Sequence, residues 1–234
     1  MESSGAGLKF ARRSTATPTP VPAANVPESI LACIFADRLT PRESVLGKGV
    51  DAPLGAVKVQ KKALGTLLFA VAFWNLRQDG VLSLEYHEQK RFLGTRKRVL
   101  VHLREDAEAE WLEGAVLESL TGIEGDHVRD VVGRWFGQDV SDPFGDVIRS
   151  ASDGAVKLGY LRNATNDRPA ARFGRPHVKF EPVTEHIAAL EPAFTRFAFS
   201  WRRFEDREPE LYTALLDACR KGITDREEIE EIVE

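Results

Sequence analysis

The stretch KKALGTLLFAVAFWNLRQDGVLSLEY, residues 61–86, decides the fold class. Leu64, Leu67, Leu68, Val71 and Leu76 line one side of a helix, and Phe69, Ala70, Ala72 and Phe73 make the other sides apolar as well. A helix that is apolar all round belongs at the centre of a core. Asp79-Gly80 then supplies a turn, after which Leu82, Leu84 and Tyr86 alternate with Ser83 and Glu85, the period of a half-buried strand. Val99, Val101 and Leu103 alternate with Leu100 and His102 as its partner. The intervening Lys90-Arg91-Phe92-Leu93-Gly94-Thr95-Arg96-Lys97-Arg98 is too long for a tight turn and predicts a projecting hairpin tip. Helix, turn, strand, basic tip, strand is the order of a winged-helix half.

A similar order recurs downstream. Trp111 to Leu120 reads as a helix, and Val128, Val131, Val132, Trp135 and Phe136 fit a second amphipathic one. Asp142-Pro143 is a helix start, an N-cap followed by proline at the first helical position, with Phe144, Val147, Ile148, Ala151 and Ala155 continuing the apolar face. Gly154 should weaken that helix. Val178 and Phe180, alternating with His177, Lys179 and Glu181, suggest a second, shorter hairpin. The C-terminal third is helical again: Ile187, Leu190, Phe194, Phe197 and Trp201 share one face, and Leu211, Leu215 and Cys219 the next. Gly222 is expected to end that helix, and Thr224 with Glu227 to cap a last one.

The expected fold is therefore mainly α with two small β-hairpins, an α+β chain with winged-helix-like halves. Residues 1–24, rich in Ser, Thr, Ala and Pro, read as a disordered tail. Residues 25–234 read as a single globular domain, with halves at 25–104 and 105–183 and a C-terminal helical segment at 184–234.

At 234 residues and 43% hydrophobic content the chain can bury a real core. The longest apolar stretch, Ala63 to Trp74, falls short of the ~18 residues a membrane span needs. The N-terminal Lys9, Arg12 and Arg13 are followed by Ser, Thr and Pro rather than an apolar run, so no secretory signal is read and the expected address is cytoplasmic, peripheral at a membrane.

No catalytic, cofactor or metal motif emerges. Cys33 and Cys219 lie far apart in apolar runs and read as reduced core residues. The five histidines at 87, 102, 127, 177 and 186 have no ligand spacing. Gly47-Lys48-Gly49 is not followed by a phosphate-loop Gly-Lys-Ser/Thr, and neither G-x-G-x-x-G nor G-x-S-x-G occurs. The four tryptophans fall on predicted buried faces and read as core.

Charge, by contrast, is segregated. The formal net charge is only −4, yet from Lys61 to Arg104 nine Lys or Arg face three Asp or Glu, and from Glu105 to Asp130 one faces nine. The basic tip is the candidate contact with an anionic surface through Lys90, Arg91, Arg96, Lys97 and Arg98. Phe92 and Leu93 among those cations suit partial insertion into a membrane or a partner groove. A winged-helix DNA binder is the alternative, but a recognition helix needs an exposed polar and basic face, and Ala63 to Trp74 has none.

The arrangement resembles the Golgi phosphoprotein 3 family. The residues concerned are Val26-Pro27-Glu28-Ser29-Ile30-Leu31, Leu67-Leu68 through Ala72 into Gly80-Val81-Leu82-Ser83-Leu84-Glu85, Thr95-Arg96-Lys97, and Val147-Ile148-Arg149 running into Gly159-Tyr160-Leu161, within residues 26–161. The resemblance implies a membrane-associated adaptor; with no catalytic or cofactor motif in the sequence, the expectation is a non-enzymatic protein without cofactor whose partners are anionic lipid, a protein, or a second copy of the chain. It also implies a headgroup contact at Arg149. The family's early-loop tryptophan has no counterpart between Arg42 and Gly55.

If the central helix is placed correctly, Leu68→Ala should destabilise the protein by roughly 2–5 kcal/mol. Urea unfolding measures this, and a change within about 0.5 kcal/mol would mean that the core lies elsewhere.

Overall fold

A computed structural model describes residues 20–233, apart from 45, 46, 48, 56, 92, 93, 106, 121–124, 137–139 and 165–178, and gives the backbone alone at 89, 91, 94–96 and 226–233. The central helix, α3 (Lys61–Gln78), is buried at every residue from Leu64 to Leu76. An apolar cylinder needs cover on all sides, and four helices supply it: α1 (Glu28–Ile34), α4 (Trp111–Glu118), α6 (Pro143–Lys157) and α8 (Pro209–Val233). The buried side chains form one contiguous core running from Val26 to Ile223.

Around this cage lie the short α2 (Ala36–Leu39), α5 (Val128–Trp135) and α7 (Thr184–Arg207). The apolar face read for α7 is the buried one at Leu190, Phe194, Phe197 and Trp201. It meets α3 through Trp74, whose ring lies 5.5 Å from that of Trp201 in an edge contact. The Asp142-Pro143 start is also as read, with the Asp142 carboxylate accepting from the Gly145 amide at 3.0 Å.

Three small antiparallel sheets complete a mainly α fold. The first, β1 (Val50–Asp51) with β2 (Lys58–Val59), lies in the stretch expected to be loop. The second joins β3 (Leu82–Arg91), β4 (Gly94–Leu103) and a two-residue β5 (Asp126–His127) in that order. The third pairs β6 (Leu161–Asn163) with β7 (Phe180–Pro182); Val178 and His177, read as part of it, lie outside the described residues.

Two expectations, on the Lys90–Arg98 segment and on Gly222, are corrected. The segment Lys90 to Arg98 is not simply a loop, because β3 and β4 stay paired from Leu82 opposite Leu103 to Arg91 opposite Gly94. Ladder hydrogen bonds need only backbone, so pairing outlasts the apolar alternation that marked the strands in sequence. Gly222 does not end a helix, since α8 runs through it. A Cβ there would stand 2.5 Å from the Arg129 carbonyl oxygen of α5, so the glycine permits close approach of two helices rather than a chain reversal. Gly154 likewise makes room for neighbours, Ile30 of α1 and the Trp111 ring of α4. In the stretch read as tail, the Val21 amide donates to the Leu158 carbonyl at 3.3 Å and the Tyr160 hydroxyl donates to the Val21 carbonyl. Residues 1–19 lie outside the described residues.

The core also holds a carboxylate. Glu113 of α4 accepts from the Ser29 hydroxyl at 2.7 Å and the Ser29 amide at 3.4 Å, at the start of α1. Burial pushes its pKa from 4.5 up to about 7, and the hydrogen bonds from Ser29 only partly offset that.

Two predictions follow from this packing. Gly222→Ala should destabilise by roughly 1–3 kcal/mol through overpacking, whereas Gly133→Ala, whose Cβ would sit at 3.8 Å from the Gly222 carbonyl oxygen, should be tolerated. Equal melting temperatures for the two variants would refute the close approach. Because Glu113 binds its proton more tightly folded than unfolded, stability should fall as pH rises from about 4.5 to about 7, by on the order of a few kcal/mol, and then level off. Glu113→Gln should remove this slope and be the more stable form above pH 7, as read by thermal melts across pH.

Candidate functional site

The arm of the second sheet follows from its register. Directly paired residues share a face, so Leu82, Leu84, Val99 and Val101, all buried, sit on the core side with the half-buried Tyr86. Two residues further out the same face carries Glu88 opposite Lys97, then Lys90 opposite Thr95. The other face carries His87 opposite Arg98, with positions 89, 96 and 91 following. The apolar pairs end at Tyr86 opposite Val99, and five further pairs, from His87 opposite Arg98 to Arg91 opposite Gly94, continue the ladder over roughly 16 Å.

This arm concentrates charge. Between His87 and Arg98 stand five cations, Lys90, Arg91, Arg96, Lys97 and Arg98, and one acid, Glu88. Lys90 and Lys97 are exposed and Arg98 is half-buried. Among the described residues none of these three has a carboxylate partner, although opposite charges elsewhere on the surface are paired, as in Arg38 with Glu191 and Arg77 with Glu208. For Arg91 and Arg96 only the backbone position is described; Phe92 and Leu93 lie outside the described residues.

At the root of the arm lies a cavity of about 350 Å³, bounded by β4, β5, α5 and α8. Lys97 and Arg98 form one wall, His127 and Arg129 a second, and Lys221 with Asp217 a third. Two of its four cations are already neutralised. Arg129 Nε donates to Asp225 at 2.5 Å, which raises the pKa of the guanidinium further, and Lys221 and Arg220 hold Asp217 at 2.7 and 2.8 Å. Burial would raise the Asp217 carboxyl, but these two hydrogen bonds outweigh it and hold the group below its ordinary value. The sequence showed Lys97 and Arg98 but not their neighbours. His127 reaches them through a two-residue strand opposite Leu100, too short to leave a period, and α8 arrives from more than a hundred residues away.

Arg149 belongs to a different place. It lies on α6 beside a second cleft of about 490 Å³ walled by Trp111, Trp135 and Phe136, and pairs with Asp146 at 3.1 Å. The two concavities share no residue, so the arm and Arg149 are not brought together. Trp111 has a backbone φ of 62° and carries the Lys157 ammonium 4.8 Å over its ring.

Both cysteines are buried free thiols, as read. Burial raises the Cys33 pKa to about 11, more than the hydrogen bond with Ser152 lowers it, and raises that of Cys219 as well, so both stay protonated at neutral pH. Among the described residues no group of three or more His, Cys, Asp and Glu is placed to hold a metal ion, and no helix is long and apolar enough to cross a membrane. The chain matches no family model, no curated protein and no solved structure.

Proposed function

We propose that the protein is a non-enzymatic adaptor that docks through its basic hairpin arm on an anionic membrane surface or on an acidic face of a protein partner. The observation that carries this reading is the set of cations Lys90, Lys97 and Arg98, which have no carboxylate partner among the described residues, on an arm with one acid among five cations. Uncompensated like charges repel one another in a free arm, and an anionic surface relieves that repulsion. Phe92 and Leu93, which follow Arg91 in the sequence, would add an apolar contact to the electrostatic one.

The DNA-binding alternative fares less well. A wing needs a recognition helix beside it, and the helix that precedes this hairpin, α3, is buried at every position from Leu64 to Leu76.

Charge and insertion are separable by experiment. Replacing Lys90, Arg91 and Arg96 with Ser should weaken co-sedimentation with phosphatidylserine vesicles by about 1 kcal/mol per charge, and the difference should shrink in high salt. Replacing Phe92 and Leu93 with Ser should weaken attachment in a way that salt does not mask, because the lost contribution is apolar burial. Failure to bind vesicles of any charge moves the contact to a protein. Sequence-discriminating binding to duplex DNA in a gel shift overturns the adaptor reading.

A further inference from the structure

Among the described residues two large apolar side chains stand in solvent, Phe199 at 68% exposure and Leu103 at 42%. A single such side chain on a surface needs no explanation. These two are set apart by their surroundings, because each adjoins a patch of one charge and the two charges are opposite.

Phe199 lies on the outer face of α7, away from the buried Phe197, Trp201 and Phe204. At 3.6 residues per turn Arg196, Arg202 and Arg203 fall within about 60° of it, and all three are exposed. No acid occurs from Thr195 to Arg203; Glu191 before them is paired with Arg38, and Glu205 and Asp206 come after. Leu103, the last residue of β4, leads into an exposed irregular segment that carries Glu105, Glu108 and Glu110 against one cation, Arg104. The exposed Asp79 stands beside it, since the Val81 carbonyl two residues on accepts from the Arg104 amide at 2.8 Å.

None of these arginines or acids has an ion-pair partner among the described residues, so the two patches do not neutralise each other within one chain. They nevertheless flank one end of the body. Arg77, two residues before Asp79, pairs with Glu208, which directly follows α7.

We infer that the protein pairs with a second copy of itself, the Phe199 face of each chain docking on the Leu103 segment of the other about a twofold axis. Two observations select this occupant. The patches match in both respects, arginines facing glutamates and an apolar side chain facing an apolar side chain. Because both patches lie at the same end, one axis joins all four of them, which closes the assembly at two chains instead of opening a filament. A lipid surface would answer the arginines but not the acids beside Leu103. The contact uses no residue of the arm, so it goes beyond the docking reading and does not rest on it.

Sedimentation equilibrium of the full chain tests it. At low salt the wild type should show the mass of two chains with a Kd of about 100 µM or tighter, weakened about tenfold or more by high salt. Phe199→Ser should weaken pairing about tenfold or more through lost apolar burial. Charge reversal separates this contact from any other. Arg196→Glu with Arg203→Glu in one variant, and Glu105→Arg with Glu108→Arg in a second, should each leave the mass of a single chain, because like charges then meet. Mixed in equal amounts, the two variants should recover the two-chain mass, since both contacts are again complementary, and an unfolded variant cannot give that recovery. Lys90→Ser should leave pairing unchanged while lowering vesicle attachment, which distinguishes this surface from the arm. A wild type that stays a single chain about tenfold above that Kd overturns the pairing, and so does a mixture that stays single or a reversed variant that pairs like wild type. If the wild type stays single and Phe199→Ser lowers its attachment to phosphatidylserine vesicles, the α7 face belongs to the membrane and the pairing is likewise overturned.

Discussion

The whole molecule is organised by the need to cover α3 on every side. A helix with a polar stripe can lie at a surface, but one whose residues from Leu64 to Leu76 are all buried requires a cage. That requirement draws α1, α4, α6 and α8 from distant parts of the chain onto one axis and leaves the sheets at the periphery. It also explains why glycines recur where helices meet. At Gly222 and Gly154 the neighbours come within a distance that a methyl group would occupy, so the cage is tight at the cost of helix propensity at those points.

The elements legible in the sequence are those whose signal is local. The apolar cylinder of α3, the Asp142-Pro143 start of α6, the stripe from Leu190 to Trp201 and the alternation of Leu82, Leu84 and Tyr86 each lie within a few turns or a few residues of chain. What misled was a local signal with a non-local cause. Gly222 followed by Thr224 and Glu227 looks like a helix end and a new cap, yet the glycine answers to a carbonyl on α5 some ninety residues away. The length of β3 and β4 was underestimated for a related reason, since outside the body there is no core to impose apolar alternation.

The candidate site was legible in part. The cations of the arm are a composition bias that any reading of residues 90–98 finds. The cavity beneath them is a tertiary product: β4, β5, α5 and α8 contribute one or two polar side chains each, and none of these contributions is unusual alone. Arg149, singled out by the resemblance alone, lies on α6 beside Asp146 in a cleft separate from the arm.

The sheet order β3-β4-β5 has a consequence for self-association. Among the described residues β5 covers only Leu100 and Val101 of β4 and no strand pairs with the outer arm, and a ten-residue hairpin with two such edges is a template for strand addition. Cations placed along that hairpin oppose the approach of a second like-charged arm, much as gatekeeper charges protect exposed strands elsewhere. Neutralising them removes that protection. On the proposed reading, the same charges that would bring the arm to an anionic surface also set the conditions under which its edges stay single, so occupancy of the surface and pairing of arms would be linked through one electrostatic quantity.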